Sequence, residues 1–167
     1  MPEAMKTSVE LVGDRELVMT RFFEAPRQLV WDAWTQREQI ERWWGPKLFQ
    51  TEVPTMEVRP GGTWHYCMRS EEWGDAWGKG VYREVTEPER LVYVDAFSDE
   101  ASNTVEGMPQ SLITVTFTEQ NGGTLLTVHT LYDSPEDRQK VIEMGVEQGF
   151  DEQLDRLEEL LAAVMRS

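Results

Sequence analysis

The chain is poor in cysteine, histidine and positive charge. Cys67 is the only thiol among 167 residues, so no intrachain disulfide can form, and the composition fits a reducing, cytoplasmic setting. His65 and His129 are the only histidines; with one thiol they supply no spaced ligand set, so no metal site is expected. Sixteen Lys and Arg stand against 31 Asp and Glu, a formal net charge of −15. That balance excludes a phosphate backbone or an anionic membrane as the natural partner. No apolar run approaches the roughly 18 residues of a membrane-spanning helix, and residues 1–10 lack the apolar stretch of a signal peptide. Nucleophile and phosphate motifs are also missing. There is no Gly-x-Ser-x-Gly, and Gly78-Lys79-Gly80 is too short for a phosphate loop and reads as a turn between strands. No cofactor is expected.

What is present is unevenly placed. All seven tryptophans fall between residues 31 and 77. Residues 84–106 carry seven acids and one base, and residues 133–167 carry ten acids and four bases. One stretch is rich in aromatic surface and two others are solvated acid. At roughly 150 residues per domain, a chain of 167 residues predicts one domain with a real core.

Residues Val9–Val12 and Glu16–Phe23 are rich in β-branched and aromatic side chains and are split by Gly13-Asp14, so they read as strands. Pro26 suits the first position of a helix carrying Leu29, Val30, Ala33 and Trp34. Thr35 and Glu38 have capping-box spacing and predict the start of a second short helix, which Gly45-Pro46 ends. From about residue 49 to 132 the period becomes two. Trp64, Tyr66 and Met68 alternate with His65, Cys67 and Arg69, and further strands are predicted at Lys79–Val85, Leu91–Phe97, Ser111–Thr118 and Thr124–Tyr132. Asn121-Gly122 suits a primed hairpin turn. From Ser134 an apolar stripe at Ile142, Val146, Phe150, Leu154, Leu157, Leu161 and Val164 predicts one helix of about 30 residues, roughly 45 Å long. This order has few solutions. The expected fold is α+β: a curved antiparallel sheet of six to seven strands gripping a long C-terminal helix.

Chemistry is sparsest where the core is richest. Trp34 and Trp43 read as core. Trp31, Trp64, Tyr66, Met68, Tyr82, Tyr93, Ile113 and Val115 read as core or as walls of a cavity. Met144, Gly145, Gly149 and Phe150 bring the helix over them; the glycines mark close packing or room for a ligand. Asp95 shares a strand face with Tyr93 and lies either in solvent or in the cavity, where desolvation would raise its pKa. Glu84 beside Tyr82 has the same ambiguity. The acid/base candidates are Asp95 and Tyr82. His65, Cys67 and His129 are expected on the outer face, with Cys67 read as a buried or edge-strand small hydrophobe and not a reactive thiol. Trp73 and Trp77 flank a glycine-rich hairpin and would cap the cavity mouth or bury themselves in a homodimer.

Several motifs now meet in order: Phe23-Glu24-Ala25-Pro26, Ala33-Trp34-Thr35, Trp43-Trp44-Gly45-Pro46, Arg59-Pro60-Gly61-Gly62-Thr63-Trp64, Gly80–Val85, Val115–Glu119 and Glu143-Met144-Gly145 with Gly149-Phe150. Over residues 15–162 they resemble the activator of heat-shock protein 90 ATPase homologue family, within the START-like (SRPBCC) superfamily. The resemblance implies a helix-grip domain over residues 15–165, with residues 1–14 as an N-terminal extension that is partly strand. It also implies an enclosed site for a small hydrophobic or aromatic ligand. Two other roles are open: a cyclase- or hydratase-type enzyme using a cavity carboxylate and tyrosine, and a protein-interaction module such as a chaperone regulator. The co-chaperones that name the family carry a further N-terminal domain, which residues 1–14 are too short to supply.

Overall fold

The computed structural model describes residues 6–166. Eight strands form one antiparallel sheet: β1 (Ser8–Val12), β2 (Glu16–Phe23), β3 (Gln50–Met56), β4 (Thr63–Ser70), β5 (Gly74–Thr86), β6 (Arg90–Phe97), β7 (Gln110–Gln120) and β8 (Gly123–Tyr132). Their order is β1-β2-β8-β7-β6-β5-β4-β3. The sheet has one strand more than the six to seven expected: β3 forms one edge, and β1, read from the sequence as Val9–Val12, forms the other. Asn121 and Gly122, both at positive φ, form the two-residue loop between β7 and β8.

Between β2 and β3 lie α1 (Arg27–Thr35) and α2 (Arg37–Trp43). The expected capping box does not form. The Thr35 hydroxyl instead donates back to the Trp31 carbonyl at 2.8 Å and closes α1. Gln36 holds the cap position of α2 without a side-chain bond. The C-terminal helix is two helices, α3 (Pro135–Glu143) and α4 (Val146–Arg166). Gly145 stands between them at φ +86° and ends α3 as a left-handed residue, a conformation that costs a side-chain-bearing residue about 1–2 kcal/mol. The apolar period runs on through the break, which is why periodicity alone predicts one helix.

Alternation puts Leu17, Met19, Arg21 and Phe23 of β2 on the concave face with Trp64, Tyr66, Tyr93, Val115, Phe117, Leu126 and Val128, and α4 lies across them. Buried Arg21 ties the helix down: it pairs with Asp155 at 2.8 Å and Glu158 at 3.2 Å and packs over the Phe23 ring. Arg156 of α4 reaches the other way. Its guanidinium donates to the carbonyls of Arg42, Trp44, Gly45, Pro46 and Phe49 at 2.8–3.3 Å, gathering the end of α2 and its following loop. Trp34, Trp43, Trp44 and Trp64 meet edge to face beneath α1 and α2.

On the convex face, alternation misjudges the burial of His65. His65 and Cys67 point outward yet are buried, at 4% and 0% exposure. The segment after β6 folds over them: His65 Nε2 donates to the Asp99 carbonyl at 3.1 Å, and its ring stacks on Trp77. Burial pushes the Cys67 thiol up, as for a small core hydrophobe. His129 is outward and half-exposed, 2.6 Å from Glu16.

Candidate ligand cavity

The concave face is not filled from end to end. A cavity of about 310 Å³ lies between the tryptophan cluster and a smaller cluster of Leu17, Met19 and Tyr132. Its floor is Tyr66 and Met68 of β4, Tyr93, Asp95 and Phe97 of β6, Ser111 and Ile113 of β7, and Thr130 and Tyr132 of β8. Its roof is the α3–α4 break and the first turns of α4: Val141, Met144, Gly145, Val146, Gly149, Phe150 and Gln153. Trp44 and Pro46 come from the loop after α2. A Cβ on Gly149 would meet Pro46 at an ordinary 3.6 Å, whereas one on Gly145 would meet nothing within 4 Å. Gly145 is therefore there for its backbone, and Gly149 keeps space open beside Pro46.

Nine of the thirteen residues expected to hold a ligand line this space: Tyr66, Met68, Tyr93, Asp95, Ile113, Met144, Gly145, Gly149 and Phe150. The other four do not. Trp31 packs edge-on against Phe117, Trp64 lies under Trp44, and Val115 is fully buried in the main core. Tyr82 is also in the core, its hydroxyl buried without a partner, so it is no proton donor for Asp95. Glu84 binds Arg90 at 3.3 Å on the surface and is no partner for Asp95 either. Trp77 lends the cavity only its position on β5, since its ring faces away against His65. Trp73 is 72% exposed at the β4–β5 turn and does not line the cavity.

The carboxylate of Asp95 is on the cavity side, and its partner is Tyr66, whose hydroxyl donates to Oδ1 at 3.2 Å. Reaching it means crossing β5. Gly78 sits opposite Tyr66, and a Cβ there would lie 2.5 Å from the phenol; Gly80 is crowded in the same way by Tyr93 at 3.0 Å. Gly78-Lys79-Gly80 is thus strand, not turn: its glycines let rings from β4 and β6 lie across the sheet.

Burial raises the Asp95 carboxyl to about 7, against the opposing pull of the Tyr66 hydrogen bond. Burial, then the nearby Asp95 charge, holds the Tyr66 and Tyr93 hydroxyls well above the usual phenol range. The Trp44 side chain also hydrogen-bonds Tyr66 and works the other way. Burial first, then Asp95, pushes Tyr132 up to about 12. At neutral pH these tyrosines are therefore hydrogen-bonding phenols, and Asp95 is poised between acid and base. Gln153 is the other polar fixture. Its Oε1 accepts from the Gly45 amide at 2.7 Å, while Nε2 is buried with no partner.

Trp44, Tyr132 and Gln153 escaped the sequence reading. Gln153 did leave a signal: it is a polar residue four positions after Gly149 and four before Leu157, on the inward stripe of α4. Tyr132 alternates with Thr130 and Val128 on the concave face of β8. Trp44 has no such signal, because a loop residue's direction depends on where Arg156 draws the loop.

A curved antiparallel sheet closed by a long helix over an apolar cavity is the architecture of a helix-grip, ligand-binding type of domain. The chain belongs to the family described as activator of Hsp90 ATPase homolog 1-like protein, whose pattern matches residues 24–162. Protein Ms6760 from Mycobacterium smegmatis is 33% identical, with 93% of this chain and 96% of that one covered at a TM-score of 0.86. A protein from Arthrobacter aurescens is 28% identical over 93% and 91% of the two chains at 0.87. One from Staphylococcus epidermidis is 29% identical over 93% and 94% at 0.83. Among curated proteins none matches. No helix among the described residues is long and apolar enough to cross a membrane.

Proposed function

We propose that this protein binds a small, mainly apolar or aromatic molecule in the cavity between the sheet and the α3–α4 break. The observation that carries the reading is the cavity itself. Close-packed interiors leave few voids larger than a water molecule, yet here about 310 Å³ stays open beneath Phe150 and Gly149, at the lower end of ligand-pocket volumes. Its walls are aromatic and aliphatic, with hydrogen-bonding groups confined to a few points, the arrangement that orients an apolar ligand. At interior packing density the space suits about a dozen non-hydrogen atoms.

Native mass spectrometry of the purified protein, with Gly149→Leu as the comparison, tests this. A leucine grown toward Pro46 fills the space. The expected result is a one-to-one adduct or added apolar ligand on the parent protein, lost in a variant that still unfolds cooperatively. Equal occupancy of both proteins would remove the cavity as the site.

One observation favours a second reading. Asp95, near neutrality in its proton affinity and joined to Tyr66 in a largely apolar cavity, is equipped to move a proton on a bound ligand. An enzyme of isomerase, hydratase or cyclase type would use Asp95 with Tyr66. Turnover of a bound ligand that vanishes in Asp95→Asn while binding persists would establish it; binding without turnover leaves the first reading.

A further inference from the structure

The cavity has one acidic group and nothing to balance it. Among the described residues lining it there is no Lys, Arg or His. Tyr66 is the only side chain seen to hydrogen-bond Asp95, and it takes one carboxylate oxygen. A carboxylate drawn partly out of water normally gains a cation or several donors; half-buried Asp95 has neither among the side chains lining the cavity. Aromatic side chains of Trp44, Tyr93, Phe97 and Phe150 also line the cavity, and aromatic rings attract cations.

We propose that the ligand is an apolar molecule ending in a hydrogen-bond donor, a protonated amine above all, which docks that end on Asp95; carboxylates are excluded. The inference rests on the ligand-binding reading above and names the chemistry of the ligand. An ammonium group supplies the countercharge and donates to the oxygen of Asp95 that Tyr66 leaves free. An anionic end would meet like charge with little water to screen it. The contrast depends on pH through Asp95. Facing that group are Tyr66 from β4, Tyr93 from β6 and Tyr132 from β8, with Arg138 of α3 acting on Tyr132. The cavity-facing residues of α3 and α4 carry no titratable group.

Calorimetric titration with four probes of one shape decides the matter: naphthylmethylamine, naphthylmethanol, methylnaphthalene and naphthoate, each of about a dozen non-hydrogen atoms as the cavity requires. At about pH 8 the amine should bind at least about 10-fold tighter than the hydrocarbon, the gain of a charge-assisted hydrogen bond. The alcohol should fall between them and naphthoate should bind weakest. In Asp95→Asn the amine should come within about 3-fold of the hydrocarbon. In the unaltered protein the amine's lead should shrink on acidification below about pH 7 while the hydrocarbon's affinity holds, a measurement that stands even if the variant fails to fold. Naphthoate matching the amine, or an amine preference that survives Asp95→Asn, overturns the proposal and leaves the cavity reading intact. Saturable binding of none of the four overturns both.

Discussion

Replacing Asp95 by asparagine should stabilise the ligand-free protein, and by more as the pH rises. The Asp95 carboxyl sits near 7 in the fold against an ordinary value of 3.8. Between those values the folded state holds a proton that the unfolded chain has released, so stability falls as pH rises through this window. Converted at 1.36 kcal/mol per tenfold change in proton affinity, ionised Asp95 costs the fold about 4 kcal/mol by about pH 8. This is an upper value, because Asp95 is half-buried and solvent reaches part of the charge. Asparagine keeps the shape and the acceptor for Tyr66 but never ionises, so it removes the pH-dependent cost. Any fixed penalty of the amide is the same at every pH. The diagnostic quantity is therefore how the stability difference between the two proteins changes from about pH 4 to about pH 8. For a domain of this size 1 kcal/mol moves the melting midpoint by about 2–4 °C, so the variant's advantage should grow by up to roughly 8–16 °C. Calorimetric melts of both proteins across that range measure it. A difference that stays flat, or that turns against the variant at the alkaline end, would refute a desolvated Asp95.

Two further outcomes follow from the backbone. Gly145→Ala puts a Cβ on a residue at φ +86° with open space around it, so the cost is conformational and should be about 1–2 kcal/mol in urea denaturation; a neutral result would mean that α3 and α4 can join without the left-handed turn. Arg156→Lys keeps the charge but loses the planar fork that gathers five carbonyls, and should cost about 2–3 kcal/mol and loosen the Trp44–Pro46 wall. Unchanged stability and unchanged hydrogen exchange at residues 44–49 would show that the clasp is dispensable.

Legibility differed by element. The hairpin at Asn121-Gly122, the strand starting at Glu16 and the amphipathic stripe of α4 were readable because each rests on a local signal: turn chemistry, a period of two, a period near 3.6. Thr35 was misread because its hydroxyl has two local uses and the backbone behind it won. The break at Gly145 was invisible to a pattern that counts side chains and not dihedral angles. His65 and Cys67 were assigned correctly to a face, but the burial of His65 was not legible, since the covering segment around Asp99 arrives from 34 residues away.

Local pattern in the chain carries the order of strands and helices, the concave apolar face and the long helix that must cover it, because burying two apolar faces together admits few arrangements. It also placed Asp95 on the same face as Tyr93. Tertiary structure alone decides that Asp95 meets Tyr66 and not Tyr82, because that pairing is made across β5 over Gly78, through the register of three strands. It likewise decides that Gln153, on the cavity roof, keeps Nε2 buried without a partner. Whether a side chain fills the core or borders a void depends on the volume left between sheet and helix, and that volume is a property of the packed whole.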